Sequence, residues 1–319
     1  MRDDLMQRIL VVGGAGVVGS HLVDRLLADG HEVVVVDDLS RGSYANLAHH
    51  RRSPRFAFLE HDAAQPYRAT VDAVFQLAVP STRLACEVDP IRAVMTCVLG
   101  TRHALEVAHA NGARLVLAMA TERWGEGIRC AERLAVEYAR AHATDVRIVR
   151  LPSAYGPRMA ADGDHLLTSL VLQALRGEDL TPRLRLDRRV RLAYVDDLVE
   201  TLARAMSSAE QPPVVVAPSE EVSVLDLAHL VAEAAGLAGV DVTDASLEGP
   251  SSVPLSTRSA AADALSASIA VGLTPSVELA EGIARTVRWF QARAPRPASN
   301  VTRTSGIFER EPVRIRHAG

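Results

Sequence analysis

Three glycines carry the first chemistry legible in this chain. Gly13, Gly16 and Gly19 fall in Gly13-Gly14-Ala15-Gly16-Val17-Val18-Gly19, directly after the apolar run Ile9 to Val12 and before a helical stretch through Leu22, Leu26 and Leu27. The first glycine lets a strand turn tightly, the second lets a ligand approach the helix end, and the third lets helix and strand pack closely. The N–H groups of Val17 and Val18 and the positive end of the helix dipole then suit a pyrophosphate. The next apolar run ends in Asp37, about twenty residues on, where a carboxylate can accept hydrogen bonds from an adenosine ribose. Together these residues predict a dinucleotide site. Asp37 repels a 2′-phosphate and favours NAD(H); Ser40 and Arg41 offer a hydroxyl and a guanidinium to that phosphate, so NADP(H) also stays open.

The second chemical fact is an absence. All 35 Lys+Arg residues are arginine. Without an ε-amine there is no Schiff base, no phosphate-loop lysine and no lysine to depress a neighbour's pKa. The rest of the composition bounds the class. The 319 residues are 48% hydrophobic and 23% charged, enough for a sizeable core. A net charge of −4 with scattered arginines gives no basic face for nucleic acid. Cys86, Cys97 and Cys130 lack paired spacing, which predicts neither disulfides nor a metal site and fits a reducing, cytoplasmic setting. No run of apolar residues is long enough for a membrane partner.

The elements that must position these groups alternate between short β-branched runs and helices. Ile9 to Val12, Val33 to Val36, Phe56 to Leu59, Ala73 to Leu77, Leu115 to Ala118 and Val146 to Arg150 read as buried strands. Ala131, Leu134, Ala135 and Tyr138 form a helical stripe read as mostly core. Beyond Pro157 come a helix from about His165 to Arg176, an arginine-studded strand near Arg183 to Arg191, a helix from Asp196 and a strand Val214 to Val216. The expected fold class is α/β: a Rossmann-type doubly wound parallel sheet with a smaller C-terminal substrate-capping domain. The expected boundaries are 1–158 with 186–217 for dinucleotide binding, 159–185 with 218–292 for substrate, and a tail at 293–319.

These motifs, with His61-Asp62, Gln76-Leu77-Ala78, Val98-Leu99-Gly100-Thr101, Ala154-Tyr155-Gly156-Pro157-Arg158-Met159 and Tyr194-Val195-Asp196-Asp197-Leu198, resemble the extended short-chain dehydrogenase/reductases. The sugar-nucleotide epimerases, dehydratases and UDP-glucuronate decarboxylases are the most similar branch. The likeness covers roughly residues 8 to 290. It implies that Asp62 lies near the adenine, that Leu77 and Ala78 line the middle of the cofactor, and that a homodimer is possible. That family works through a Tyr-x-x-x-Lys pair and an orienting Ser or Thr. Matching Arg129-Cys130-Ala131-Glu132 to the family places Trp124 at the tyrosine, Ile128 at the lysine and Ala120 at the hydroxyl. Cys97 stands at a usual asparagine, Ser153 at another, and Val190 at the usual diphosphate arginine, flanked by Arg189 and Arg191. Tyr138 and Tyr155 read as structural.

The catalytic residues of the family are therefore missing, and Ser81, Thr82 and Thr121 are the hydroxyls left as weak candidates. Hydride transfer needs a positioned carbonyl, and a lost acid costs about 10²–10⁴-fold. A phenol beside the ketone can supply part of that loss. The constellation also resembles the atypical angucyclinone ketoreductases, which implies NAD(P)H-dependent reduction of an aromatic polyketide in antibiotic biosynthesis. A non-catalytic dinucleotide-binding protein and a sugar-nucleotide-modifying enzyme with unconventional acids are the alternatives.

Overall fold

The computed structural model of the protein describes residues 6–79, 88–121, 126–161, 165–208, 214–237, 240–243 and 274–293. Its first half is a regular alternation: β1 (Arg8–Val12), α1 (Val17–Ala28), β2 (Glu32–Asp37), β3 (Phe56–Glu60), β4 (Ala73–Gln76), α2 (Pro90–Asn111), β5 (Arg114–Ala120), α3 (Glu126–His142) and β6 (Val146–Leu151). After it come β7 (Ser153–Tyr155), α4 (Leu166–Leu175), β8 (Arg189–Tyr194), α5 (Val195–Ser207), β9 (Val214–Val216), β10 (Glu220–Ser223), α6 (Val224–Ala235) and α7 (Leu279–Gln291). Seven parallel strands form one sheet in the order β3-β2-β1-β4-β5-β6-β9. This is the expected α/β Rossmann-type sheet.

Burial on both faces explains why these strands read as continuous apolar runs. Along β1, Ile9 and Val11 join a core with Leu22, Val23 and Leu26 of α1 and Val199 and Leu202 of α5. Leu10 and Val12 point the other way, into a core with Ala104, Leu105 and Ala108 of α2 and Ile128, Ala131 and Ala135 of α3. Caps delimit α2. The Asp89 side chain accepts from the Arg92 N–H at 3.0 Å, Pro90 opens the helix, and Gly112 closes it with φ +61°.

Three expectations need correction. β3 is the edge strand and is only half-buried, because a strand with one neighbour and no crossover beyond it has less to pack against. The arginine-studded strand runs over 189–194, since Arg188 N–H bonds the Arg185 carbonyl at 3.1 Å in a turn. It belongs to a separate three-stranded sheet, β10-β8-β7. Within the stripe of α3, Ala131 and Ala135 are buried while Leu134 and Tyr138 are half-exposed. The expected tail at 293–319 lies outside the described residues apart from Arg293.

Arg147, Asp37 and Asp197 are charged residues buried in this fold. Arg147 on β6 has a side chain only 4% exposed and donates from Nε to Asp145 Oδ1 at 2.9 Å. The other oxygen of Asp145 accepts from Arg114 Nε at 2.7 Å, and Arg114 reaches on to the Met206 and Ser208 carbonyls. Burial alone raises the Asp145 carboxyl, but the hydrogen bonds from Arg147 and Arg114 outweigh it and leave its pKa below the ordinary value. A depressed carboxyl pKa adds stability above the unfolded value that is lost as pH falls through the folded one. Asp145→Asn should therefore cost about 2 kcal/mol at neutral pH, less than a fully buried pair because Asp145 is one-third exposed. Urea melts should show the gap from wild type closing below about pH 4, where the wild-type carboxylate is itself protonated.

Candidate functional site: a dinucleotide groove at the carboxyl ends of the strands

The carboxyl ends of β1 to β4 bring the cofactor candidates together. Gly13 follows β1 with φ +81°, and a Cβ there would lie 2.7 Å from Ala78 N, so the turn admits only glycine. A Cβ at Gly19 would lie 2.3 Å from the Gly13 carbonyl oxygen and 2.7 Å from Gly14 Cα. Helix α1 thus rests directly on the turn. At Gly16 a Cβ would meet protein only at 3.5 Å; glycine there preserves an open approach. Gly16 is the N-cap and no side chain caps the helix, so the first N–H groups of α1, those of Val17 and Val18 among them, keep their bonding capacity for a ligand.

Asp37 closes the β2 side and is 8% exposed. One carboxylate oxygen accepts from Ala15 N–H at 2.9 Å and the other from Leu39 N–H at 2.8 Å. Burial raises its pKa, and those two backbone bonds oppose the rise. Ser40 donates to Asp38 Oδ1 from both Oγ (2.5 Å) and N (3.0 Å), while Arg41 is exposed on the same loop. The far oxygen of Asp38 accepts from Arg92 Nη2 at 2.7 Å. That pair ties the end of β2 to the first turn of α2, although β1 lies between β2 and β4 in the sheet. Sequence spacing held no signal for Arg92, because 54 residues separate the partners. Asp62 follows β3 and accepts from Ala64 N–H at 2.8 Å. Leu77 and Ala78 follow β4, the Leu77 N–H bonding the Val12 carbonyl at 2.8 Å.

The cradle therefore fits a nicotinamide dinucleotide: a glycine turn that tolerates no Cβ, an uncapped helix start and a buried carboxylate at the ribose end. Asp37→Asn removes the charge and leaves one oxygen to accept from the turn, where the carboxylate uses two. It should raise affinity for NADPH relative to NADH by about tenfold, worth about 1.4 kcal/mol, which fluorescence titration of both cofactors measures.

The reacting end is built differently. Ala120 ends β5 and is half-buried. Ile128 sits in the first turn of α3, 3% exposed, in one apolar cluster with Cys97 and Met119. Helices α2 and α3 meet closely there, since a Cβ on Gly127 would lie 3.0 Å from Val94 Cα. Thr121 donates its hydroxyl to the Leu151 carbonyl at 3.2 Å and its N–H to the same oxygen at 2.9 Å, so its proton is engaged in joining β5 to β6. Ser81, Thr82 and Trp124 lie outside the described residues. Neither tyrosine substitutes. Tyr155 is 2% exposed beneath α7, where a Cβ on Gly282 would lie 2.3 Å from its hydroxyl, and burial raises its pKa. Tyr138 is ten residues beyond Ile128 on α3, about 15 Å along the helix.

The sequence profile of the NAD dependent epimerase/dehydratase family matches residues 9–129 and 121–217. The chain belongs to that family. UDP-glucuronic acid decarboxylase 1 of Xenopus tropicalis is 31% identical over 320 residues, covering 92% of this chain and 74% of the relative. UDP-glucuronic acid decarboxylase 6 of Arabidopsis thaliana is 32% identical over 312 residues, covering 90% and 89%. In three dimensions the Bordetella bronchiseptica enzyme WbmF, crystallised with NAD+ and UDP, superposes with a TM-score of 0.74 at 22% identity, covering 90% of this chain and 93% of that one. The last likeness concerns the fold. As a member of an NAD dependent family with this cradle, the protein is a nicotinamide-dinucleotide protein, and no helix among the described residues is long and apolar enough to cross a membrane.

Among family features for a sugar diphosphate, Val190 stands where the arginine is expected. Arg189 and Arg191 beside it both pair with Glu221, at 3.1 and 3.2 Å, with side chains more than half exposed. The shared glutamate offsets one of the two positive charges that an anionic ligand would use.

Proposed function

We propose that the protein is an NAD(P)H-dependent ketoreductase that positions a ketone against the cofactor without delivering a proton from a tyrosine-lysine pair. The observation carrying this reading is a chain without any lysine, in which Ile128, the residue that the family resemblance sets against the lysine, is buried among Cys97 and Met119. The cofactor supplies a hydride when bound. The protein's share is placement: the glycine turn and the start of α1 hold the dinucleotide, Leu77 and Ala78 line its middle, and half-buried Ala120 presents an apolar surface to the reacting carbon. Placement alone accounts for a large part of a barrier reduction. The proton then comes from the substrate or from solvent, which suits a ketone with a neighbouring phenol, the arrangement of aromatic polyketides. Segments 159–185 and 218–292 would form the substrate side.

The sequence relatives favour a second reading, a sugar-nucleotide-modifying enzyme, because UDP-glucuronic acid decarboxylases are 31% and 32% identical over 92% and 90% of this chain. The substituted relay positions and the Glu221-paired arginines stand against it. One set of assays separates the readings. NAD(P)H oxidation is followed with a hydroxyaryl ketone and with the same ketone O-methylated at the adjacent phenol; turnover of the first and a large loss with the second is expected. Equal rates would end substrate assistance. Turnover of UDP-glucuronate, or its tight binding by calorimetry, would favour the sugar reading, and dinucleotide binding with no turnover of any substrate would leave a binding protein.

A further inference from the structure

A cluster of metal-ligating side chains lies outside the groove. Asp24 projects from the middle of α1, and His49 and His50 stand in the short 3-10 turn at 48–50. Both imidazoles aim Nε2 at one oxygen: His49 Nε2 is 2.8 Å and His50 Nε2 2.6 Å from Asp24 Oδ1. All three candidate ligand atoms lie within 4.8 Å of one another. The other carboxylate oxygen is taken by Arg158 Nη2 at 2.6 Å, reaching from the turn after β7.

We propose that Asp24 Oδ1, His49 Nε2 and His50 Nε2 form a binding site for one divalent transition-metal ion of the zinc class. Two imidazoles and a carboxylate are a donor set that such ions accept, with solvent completing the coordination. Adjacent histidines ordinarily diverge, yet these rings lie 4.0 Å apart between centroids with both Nε2 atoms converging on one oxygen. Without metal, each Nε2–H donates to that oxygen. Exchanging the two protons for an ion with bonds of about 2.0–2.2 Å requires the ligands to open by roughly half an ångström. His49 is the element free to give, its side chain being 48% exposed against 19% for His50.

Arg158 acts in two directions. Its charge weakens the site for a cation, while its hold on Oδ2 fixes the carboxylate as a one-oxygen ligand, the outer contact that ligating carboxylates commonly have. An ion here would brace α1 against the segment that leads on from Ser40 and Arg41. The metal would thus be structural and sit apart from the reacting centre.

The test uses full-length, tag-free protein dialysed against a chelator and titrated with Co2+ by visible absorbance, then with Zn2+ in competition. One equivalent of Co2+ should bind with a tetrahedral or five-coordinate spectrum and be displaced by Zn2+. His49→Ala and His50→Ala should each weaken binding by more than the about tenfold that an outer contact is worth, and His142→Ala, on α3, should leave it unchanged. Absence of binding, or binding that survives both substitutions, would overturn the proposal. A readout on the wild type covers variants that fail to fold: Zn2+ should protect His49 and His50 from diethylpyrocarbonate, read by mass spectrometry, and protection of other histidines instead would equally overturn it.

Discussion

Ile128→Lys should destabilise the dinucleotide-free protein by about 3 kcal/mol at pH 7, the order expected for an unpaired charge placed in a packed apolar site. The position is 3% exposed and shares its cluster with Cys97 and Met119. The close approach of Gly127 to Val94 leaves α3 little room to lift away. The buried amine would escape by deprotonating, so its folded pKa falls below the unfolded value. The native state then binds fewer protons than the unfolded one, and stability rises with pH. Urea melts of the variant should recover toward wild type between about pH 7 and 10, approaching the ordinary lysine pKa of about 10.4. A variant as stable as wild type at pH 7 would mean that this position is wetter than its surroundings indicate and could hold a lysine of the family type.

Gly19→Val should have the other large effect, on the cofactor. Any Cβ at this position overlaps the Gly13 carbonyl and Gly14 Cα, both main-chain atoms that cannot rotate aside. Helix α1 must back away from the turn, at a cost of about 3 kcal/mol. The displacement also takes the N–H groups of Val17 and Val18 out of line with the phosphates. Fluorescence titration with NADH should show affinity lower by about a hundredfold, equivalent to about 2.8 kcal/mol, with a lowered melting temperature. Gly16→Ala is the contrast. A Cβ there meets no protein closer than 3.5 Å, so it should melt like wild type and lose affinity only because the methyl stands in the ligand's approach.

What the sequence made legible followed from local physics. The glycine spacing, the apolar runs and Asp37 each encode their role within a few residues, and all the proposed cofactor-side residues converge on one edge of the sheet. β7 and β10 went unseen because Ser153-Ala154-Tyr155 and Glu220-Glu221-Val222-Ser223 contain no apolar run, unlike the equally short β9 with its three valines. β3 read as buried because Phe56, Phe58 and Leu59 are apolar, whereas exposure at an edge depends on strand order, which no single segment carries. Thr121 passed as a candidate acid because a hydroxyl's partner is a tertiary fact: the Leu151 carbonyl that receives it lies 30 residues away. The Asp24, His49 and His50 cluster escaped for the same reason, its members being 25 and 26 residues apart with no recognisable ligand spacing.

The Asp38–Arg92 pair has a kinetic side. It joins the two banks of the groove at the adenosine end, with side chains 27% and 55% exposed, so holding it closed is worth under about 1 kcal/mol. At that strength the bridge would be a weak latch, slowing the departure of a bound cofactor only modestly. Because exposed charges are screened over about 8 Å at physiological ionic strength, cofactor residence time becomes a property of the medium as well as of the fold. Salt would loosen the adenosine end while leaving the glycine turn untouched.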